Sequence, residues 1–303
     1  MTDIMKNRYL YNGALGDTIC LAMCARMSFT DSELKNITFI DNYPEVFNNL
    51  CNAKHLKSIH SKNSVSSSTT KTMMNSTNYK IIRDIYWYLK SFLGLRYTYI
   101  SWYRTFRLRS VPLTNIFLSI LSKSEIKSSF CSRWLKKNQN EGKRVIISAE
   151  AGWTCRQPNI SSILNLIKYL NLKSSDIDIV GLKKSNDELS KYNDLRGKLS
   201  LKELMEHVSK SSLTITADSA LYHLAILYDI PTISFFGPVK PELRAYPSDK
   251  CTFLIRKDLD CLGCSINHDI SKTNGECPLG HNECMKFDSE NIKMELKNVR
   301  LHW

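Results

Sequence analysis

Apolar and polar positions along this 303-residue chain alternate between strand-like and helix-like patterns. The pattern predicts a strand over 8–12, a glycine turn over 13–17 and a helix over 18–28. Further strands follow at 36–41 and 57–60, and then at 144–149, 178–182, 213–217, 231–236 and 251–255. Helices are expected at 44–53, 162–170, 201–210, 219–228 and 289–299. Such alternation predicts an α/β protein.

The predicted elements fall into two series with a polar connector, 138–143, between them. We therefore expect an N-terminal Rossmann-like domain over 1–140 and a C-terminal one over 141–303. The cleft between two such domains is where a nucleotide ligand usually binds. The stretch 79–137 reads as a helical insert in the first domain, because it is rich in aromatic residues and matches no strand pattern.

Composition is that of a folded protein, with 43% hydrophobic and 23% charged residues. The net charge of +13 is uneven, because residues 54–144 hold 18 Lys and Arg against three acidic residues. The basic aromatic insert, 79–137, carries much of this charge. It predicts an anionic partner, which could be nucleic acid, a membrane surface or a phosphorylated acceptor. The other interpretation is a solvated helical surface with its aromatic residues in the core.

No apolar run is long enough to cross a membrane, and the first residues lack the pattern of a signal peptide. We therefore expect a cytoplasmic protein. In that compartment most of the ten cysteines should be free thiols. Six are scattered and are expected to act as small core residues: Cys20, Cys24, Cys51, Cys131, Cys155 and Cys251.

The stretch 213–238 is the most informative in the chain. Its first strand ends at Asp218, which we expect to cap the following helix. The backbone N–H groups of Ser219, Ala220 and Leu221 would then form an anion site suited to a pyrophosphate, and His223 could add a donor to it. Taken alone, Asp218 and Ser219 could equally be ordinary capping residues.

A second pattern is Cys261-x2-Cys264-x12-Cys277-x6-Cys284, which we call the Cys-rich loop, 261–284. Two close pairs of thiols have the spacing of a tetrathiolate zinc or iron site. A metal held by four protein sulfurs would be structural rather than catalytic. The alternative is a set of reduced thiols that hold the loop.

Asp218-Ser219-Ala220-Leu221-Tyr222-His223-Leu224-Ala225, followed by Phe236-Gly237-Pro238, resembles a signature of the family 9 glycosyltransferases, the ADP-heptose heptosyltransferases of lipopolysaccharide synthesis. Gly13-Ala14-Leu15-Gly16-Asp17 resembles the glycine motif with which that family begins. One departure is Ala220, where the family usually has glycine. The resemblance implies the GT-B type of fold, with two Rossmann-like domains facing each other across a cleft, and a nucleotide-sugar donor, with ADP-heptose favoured.

The resemblance also implies roles for individual residues. Asp17 would be the general base of an inverting transfer, and Gly16 would let the loop backbone approach the donor. Arg156 would bind the donor phosphates without a catalytic cofactor, a task that Lys183 or Lys184 could also perform. Glu188 would hold the nucleotide ribose. The donor site would therefore comprise Gly16, Arg156, Glu188, Asp218, Ser219, Ala220 and His223.

The Cys-rich loop shares in this resemblance, since residues 277–285 are similar to a cysteine-rich tail of these transferases. One branch, which glycosylates autotransporter adhesins, carries an iron-bound cysteine finger. The resemblance thus leaves zinc and iron open for Cys261, Cys264, Cys277 and Cys284, and it leaves a protein acceptor open beside a glycan.

We therefore expect an enzyme that transfers a sugar to an anionic glycan or glycolipid such as the lipopolysaccharide core, with membrane-surface contact through 79–137. Two other classes compete with it. A nucleic-acid-binding protein with a zinc ribbon is disfavoured, because the cysteines lie in the near-neutral half of the chain. A scaffold that binds nucleotide sugars without turnover is opposed weakly by the presence of Asp17 and His223.

Overall fold

The computed structural model describes residues 8–10, 14–41, 43–51, 54–57, 98–99, 112–121, 143–182, 186–244, 246, 248–268, 270–297 and 299. The chain divides into two compact units, Met1–Phe130 and Cys131–Trp303. Each unit contains its own parallel sheet, which confirms the predicted α/β class. Most of the basic aromatic insert, 79–137, lies outside the described residues.

The first unit is built on a four-stranded parallel sheet of order β3-β2-β1-β4. Its strands are β1 (Arg8–Leu10), β2 (Thr38–Asp41), β3 (Lys54–Lys57) and β4 (Thr98–Tyr99). Its helices are α1 (Leu15–Ser28), α2 (Asp31–Leu34), α3 (Pro44–Leu50) and α4 (Leu113–Leu121). Neighbouring parallel strands must be joined by crossover connections, usually helices, and such crossovers are right-handed.

Helix α1 is the centre of this unit, because residues 18–25 are all buried. It packs against α3 and α4, so it shows little difference between its faces, as expected for a helix enclosed on all sides. Phe39 of β2 and Phe47 of α3 stack with ring centroids 4.3 Å apart, which fixes that helix on the sheet. The thiols of Cys20, Cys24 and Cys51 are buried here, as predicted for core cysteines.

The second unit contains a six-stranded parallel sheet of order β10-β9-β8-β5-β6-β7. Its strands are β5 (Val145–Ile147), β6 (Ile177–Ile179), β7 (Asn193–Asp194), β8 (Leu213–Ala217), β9 (Thr232–Phe236) and β10 (Cys251–Ile255). Its helices are α5 (Ile160–Tyr169), α6 (Leu201–Ser209), α7 (Ala220–Leu227) and α8 (Ser289–Leu296). Strands β8 and β9 are buried throughout, as apolar strands covered on both faces should be.

Side-chain caps fix where several helices of this unit begin. Asn159 caps α5, and Ser200 and Asp288 form capping boxes at α6 and α8. These caps place the helix starts independently of tertiary contacts. Helix α7 differs, because its N-cap residue, Ser219, makes no side-chain cap hydrogen bond. Its position depends on its two buried neighbouring strands instead.

Two expectations about helix starts that concern predicted site residues were wrong. Helix α1 begins at Leu15 rather than Thr18, so Gly16 and Asp17 lie inside its first turn and not in the preceding loop. Asp218 is not the cap of α7, since Ser219 takes that position and the helix begins at Ala220. In both cases the helix or strand boundary moves by one to three residues, which is the usual uncertainty of sequence patterns. No helix in the described part of the chain is long and apolar enough to cross a membrane.

Candidate functional site

The candidate site lies at the carboxyl end of β8, where Asp218 follows Ala217 directly. The carboxyl edge of a parallel sheet is where loops and helix N-termini meet a ligand. Ser219 is extended and hydrogen-bonded through its hydroxyl to Thr216 Oγ1 at 3.1 Å. Helix α7 starts at Ala220, so the N–H groups of its first turn point to the same edge.

Arg156 lies against Asp218. Its Nη1 donates a hydrogen bond to Asp218 Oδ2 at 2.9 Å, and the side chains are only 17% and 5% exposed. Arg156 closes the single 3₁₀ turn Thr154–Arg156 in the loop after β5. Strands β5 and β8 are neighbours in the sheet, and this adjacency brings the two residues together across 62 positions of sequence.

Asp218 is an ionised carboxylate. Burial alone would raise its pKa, but the guanidinium groups of Arg156 and Arg244 outweigh burial and lower it. A buried carboxylate with two nearby guanidinium groups stays charged at neutral pH. The site therefore carries net positive charge from Asp218, Arg156 and Arg244 taken together, which suits an anionic ligand.

His223, in the first turn of α7, is buried and neutral. Burial lowers its pKa to about 4, with Asp218 opposing the shift and the two arginines adding to it. Its ring contacts Tyr222 and Tyr246 in edge-to-face geometry, with centroids 5.1 and 5.5 Å away. A neutral imidazole can donate one hydrogen bond to a ligand but brings no charge.

Arg244 is a site residue that the sequence patterns did not single out. It ends the 3₁₀ turn Pro241–Leu243, just after the Phe236-Gly237-Pro238 turn. Its charge acts on both Asp218 and His223. A single arginine in a loop belongs to no recognisable sequence motif. Only the path of the chain after β9 shows that Arg244 is a site residue.

The other predicted site residues lie on other elements of the chain. Glu188 is exposed on the 3₁₀ turn Glu188–Lys191 after β6. Lys183 and Lys184, the alternatives to Arg156, lie outside the described residues. Gly16 and Asp17 are half-buried in the first turn of α1, in the other unit, and Gly13 lies outside the described part. The pair Arg156 and Asp218, with Ser219, Ala220 and His223, is what the fold brings together.

The Cys-rich loop packs directly on this half of the sheet. A Cβ on Gly237 would lie 2.6 Å from Cys284 Sγ, so only glycine allows this approach. The loop is tied down further because Gly263 N donates to Gly237 O and Ser265 N donates to Pro238 O, each at 2.9 Å. The Cys-rich loop thus packs on the Phe236-Gly237-Pro238 turn and is hydrogen-bonded to it.

Five thiols approach one another in this region. Burial, and then the thiols of Cys264, Cys261, Cys277 and Cys155, raise the pKa of Cys284 to about 12. Cys155 is buried, as expected for a core cysteine. The expectation that it is isolated from the other cysteines was wrong. Burial would raise the pKa of Cys277, but backbone N–H groups of residues 279–282 donate to its sulfur and lower it.

The thiols are free, and the part of the chain that the structure describes contains no group of three or more Cys, His, Asp or Glu side chains arranged to hold a metal ion. The four-sulfur donor set is right for zinc or iron. Its arrangement is not that of a closed metal site, so the structure does not confirm the predicted tetrathiolate.

Residues 172–273 match the family model of glycosyltransferase family 9 (heptosyltransferase). This range contains Asp218 and the Phe236-Gly237-Pro238 turn. Over this range the chain is similar to the family 9 heptosyltransferases. It is 31% identical over 140 residues to lipooligosaccharide heptosyltransferase 2 of Campylobacter jejuni serotype O:2, which is 42% of this chain and 41% of the relative. The family 9 similarity predicted from the sequence is confirmed, although the alignment spans less than half of the curated relative.

Comparison with solved structures shows that this chain has the GT-B type of fold. Over 97% of its length it superposes on TibC, an iron-containing dodecameric glycosyltransferase from enterotoxigenic E. coli, with a TM-score of 0.62, 14% identity and 77% of TibC covered. ADP-heptose lps heptosyltransferase II of E. coli matches with a TM-score of 0.60, 13% identity, 97% of this chain and 98% of that chain. The predicted fold class is thereby confirmed.

Proposed function

We propose that this protein is an inverting glycosyltransferase that transfers a heptose from ADP-heptose to a hydroxyl of a cell-surface glycan, such as the lipopolysaccharide core. The observation that carries the proposal is the buried Arg156–Asp218 pair at the N-terminus of α7. The family 9 match over residues 172–273 supports it, and so does the structural similarity to TibC, which has been solved with ADP-D-beta-D-heptose.

In this proposal the second unit binds the donor. The diphosphate lies at the N-terminus of α7, where N–H groups and the helix dipole favour negative charge. Arg156 and Arg244 offset the charge that develops on the departing nucleoside diphosphate, so that the transfer needs no metal ion. His223 donates one neutral hydrogen bond, and Glu188 holds the ribose.

Asp17 is the proposed general base. Its carboxylate takes the proton of the acceptor hydroxyl while that oxygen attacks the anomeric carbon, and the bond from this carbon to the diphosphate oxygen breaks. Its place in the first turn of α1 supports this role, because a helix N-terminus stabilises a carboxylate. Gly16, one residue earlier, adds no side chain beside it.

The test is a panel of nucleotide sugars offered to the purified protein, with binding measured by calorimetry and turnover by release of the nucleoside diphosphate. ADP-heptose should bind in the micromolar to millimolar range. Asp17→Asn should retain donor binding and lose turnover by about 100-fold or more, whereas His223→Ala should weaken donor binding. Absence of binding by every nucleotide sugar would overturn the proposal.

A protein is the second candidate acceptor, favoured by the fold similarity to TibC and by the Cys-rich loop. Donor binding is common to both candidates, so it cannot distinguish them. Turnover should be measured with truncated lipooligosaccharide and, separately, with unfolded and folded protein acceptors. Transfer to protein alone would replace the glycan assignment and leave the donor site unaffected.

For the Cys-rich loop we propose a structural zinc or iron ion bound by Cys261, Cys264, Cys277 and Cys284. The mutual approach of these thiols and the N–H donors around Cys277 Sγ support it. Binding would require the four sulfurs to move into one tetrahedral set. Elemental analysis of protein purified without chelators should give close to one metal ion per chain, and a content near zero would contradict the proposal.

For the basic aromatic insert, 79–137, we propose contact with the anionic acceptor and with the inner face of the cytoplasmic membrane. The charge of the sequence supports this, since Lys and Arg near an anionic surface gain about 1 kcal/mol each. Co-sedimentation with anionic vesicles should be strong at low salt and weak at high salt. Equal sedimentation with neutral vesicles would contradict it, and tight binding to duplex DNA would favour the nucleic-acid alternative.

A further inference from the structure

We propose that Gly275 and Trp153 are positioning residues of the donor site, which hold Arg156 against Asp218. The Cys-rich loop, to which Gly275 belongs, therefore helps to position Arg156 in the donor site. This inference rests on the proposed function for its consequence in donor binding. The coupling of Gly275 to Arg156 does not depend on that function, because it is inferred only from contacts within the second unit.

The carbonyl of Gly275 holds the turn that carries Arg156. It accepts a hydrogen bond from the backbone N–H of Cys155 at 2.9 Å and another from Thr154 Oγ1 at 2.9 Å. The turn Thr154–Arg156 is a single 3₁₀ turn, and so short an element has few hydrogen bonds of its own. A tether to a loop some 120 residues away in sequence therefore decides where the turn lies.

Gly275 also has to be glycine to make these contacts. Its φ is +87°, a conformation that side chains rarely adopt. A Cβ there would lie 2.9 Å from Trp153 Cδ1 and 3.3 Å from Trp153 Cα. The backbone of the Cys-rich loop thus lies directly on the backbone and ring of Trp153, and an added methyl group would displace one of them.

Trp153, which contacts Gly275, also contacts Arg156. The guanidinium carbon of Arg156 lies 4.8 Å from the centroid of the indole ring, in cation–π geometry. The guanidinium also lies close to Gly152, since a Cβ on Gly152 would lie 3.2 Å from Arg156 Nη2. Arg156 is therefore held by contacts with the indole ring and with Gly152, and its Nη1 donates to Asp218.

A pair of glycines in the same loop allows a matched test. Gly280 has a φ of +76° and nothing within 4 Å of the position a Cβ would take. Gly275→Ala and Gly280→Ala therefore introduce similar backbone strain, but only the first disturbs Trp153. With ADP as the probe, Gly275→Ala should weaken binding about tenfold, which is the loss of one charge-assisted hydrogen bond. Gly280→Ala should leave the ADP affinity unchanged, and equal losses in both variants would overturn the proposal.

The ring of Trp153 is tested by a conservative rescue. Trp153→Phe retains an aromatic face under the guanidinium, whereas Trp153→Leu retains only apolar bulk. Trp153→Leu should weaken ADP binding by about threefold, with Trp153→Phe close to the unaltered protein. If the two variants bind ADP equally, whether both are impaired or both intact, the ring does not position Arg156.

A measurement without ligand separates this inference from the proposed function. Gly275→Ala is compared in the unaltered chain and in the charge-free background of Arg156→Met with Asp218→Asn, by urea unfolding. The urea midpoint should fall further in the unaltered chain, because only there does the substitution disturb the Arg156–Asp218 pair. Gly280→Ala should lower it equally in both. Equal shifts for Gly275→Ala would refute the coupling even if ADP binds, while failure of ADP to bind beside unequal shifts would refute only the donor site.

Discussion

Arg156 Nη1 donates to Asp218 Oδ2 at 2.9 Å, in an ion pair that is almost completely buried. The pair joins the loop after β5 to the end of β8, and it places a guanidinium at the N-terminus of α7. A buried pair contributes little compared with well-packed apolar residues, but breaking it leaves one unpaired charge in the interior. Replacing one member should therefore destabilise the protein strongly, whereas replacing both should cost less than the sum of the two single replacements.

Arg156→Met should lower the free energy of unfolding by about 3 kcal/mol, because it leaves the Asp218 carboxylate buried without its closest partner. Arg156→Met combined with Asp218→Asn should be less destabilised than the sum of the single variants. Urea unfolding at pH 7 measures both. Lys286→Met is the control, since the exposed Lys286–Glu283 pair should contribute nothing measurable. Additive effects at Arg156 and Asp218 would contradict the buried pair.

His223 should make stability depend on pH. Its pKa is lowered to about 4 by burial, whereas the unfolded chain has a histidine pKa of about 6.5. Between these values the unfolded state binds the extra proton, so stability is complete above pH 6.5 and falls as the pH is lowered towards 4, by about 3 kcal/mol in total.

Urea unfolding at intervals from pH 4.5 to 7 checks this, and His223→Gln should remove most of the slope. His207, whose pKa is also lowered by burial, calls for a parallel His207→Gln variant. If His223→Gln leaves the slope as it was, the histidine is not buried in its neutral form.

Asp178, in β6, should be the most sensitive acidic residue for stability. It is completely buried and accepts hydrogen bonds from Arg144 Nε at 2.7 Å, His207 Nε2 at 2.8 Å and Asn193 Nδ2 at 2.6 Å. Asp178→Ala would leave these donors unpaired and should cost about 3–5 kcal/mol. Arg144 precedes β5, at the opposite edge of the sheet from Asp218, so the ADP affinity of the folded fraction should not change.

Arg196 should hold the turn that presents Glu188. Its guanidinium, 5% exposed, pairs with Asp187 at 2.7 Å and Asp194 at 2.8 Å, on either side of that turn. Arg196→Lys cannot span both carboxylates and should destabilise by about 1–3 kcal/mol. Hydrogen exchange should rise first over 187–194. Uniform exchange across the whole unit would show that the effect is global instead.

Much of the second unit follows from the sequence because its signals are local. The strand Leu213–Ala217 was predicted with the bounds that the structure gives, and so was the start of α6 at Leu201, where the structure shows a capping box at Ser200. Apolar runs and caps act over a few residues, so no distant contact was needed to read them. The family 9 similarity also rested on contiguous residues, from Asp218 to Pro238.

The tertiary structure alone decided what those residues contact. Asp218 looked like a helix cap, but a guanidinium 62 residues away occupies it. Arg244 and Gly275 carry no spacing signal, and Cys155 joins the other thiols only through the fold. Caps and strands depend on neighbours in sequence, which the chain itself displays. Ion pairs, packed glycines and pKa values depend on which strands lie side by side, and that order exists only once the sheet has formed.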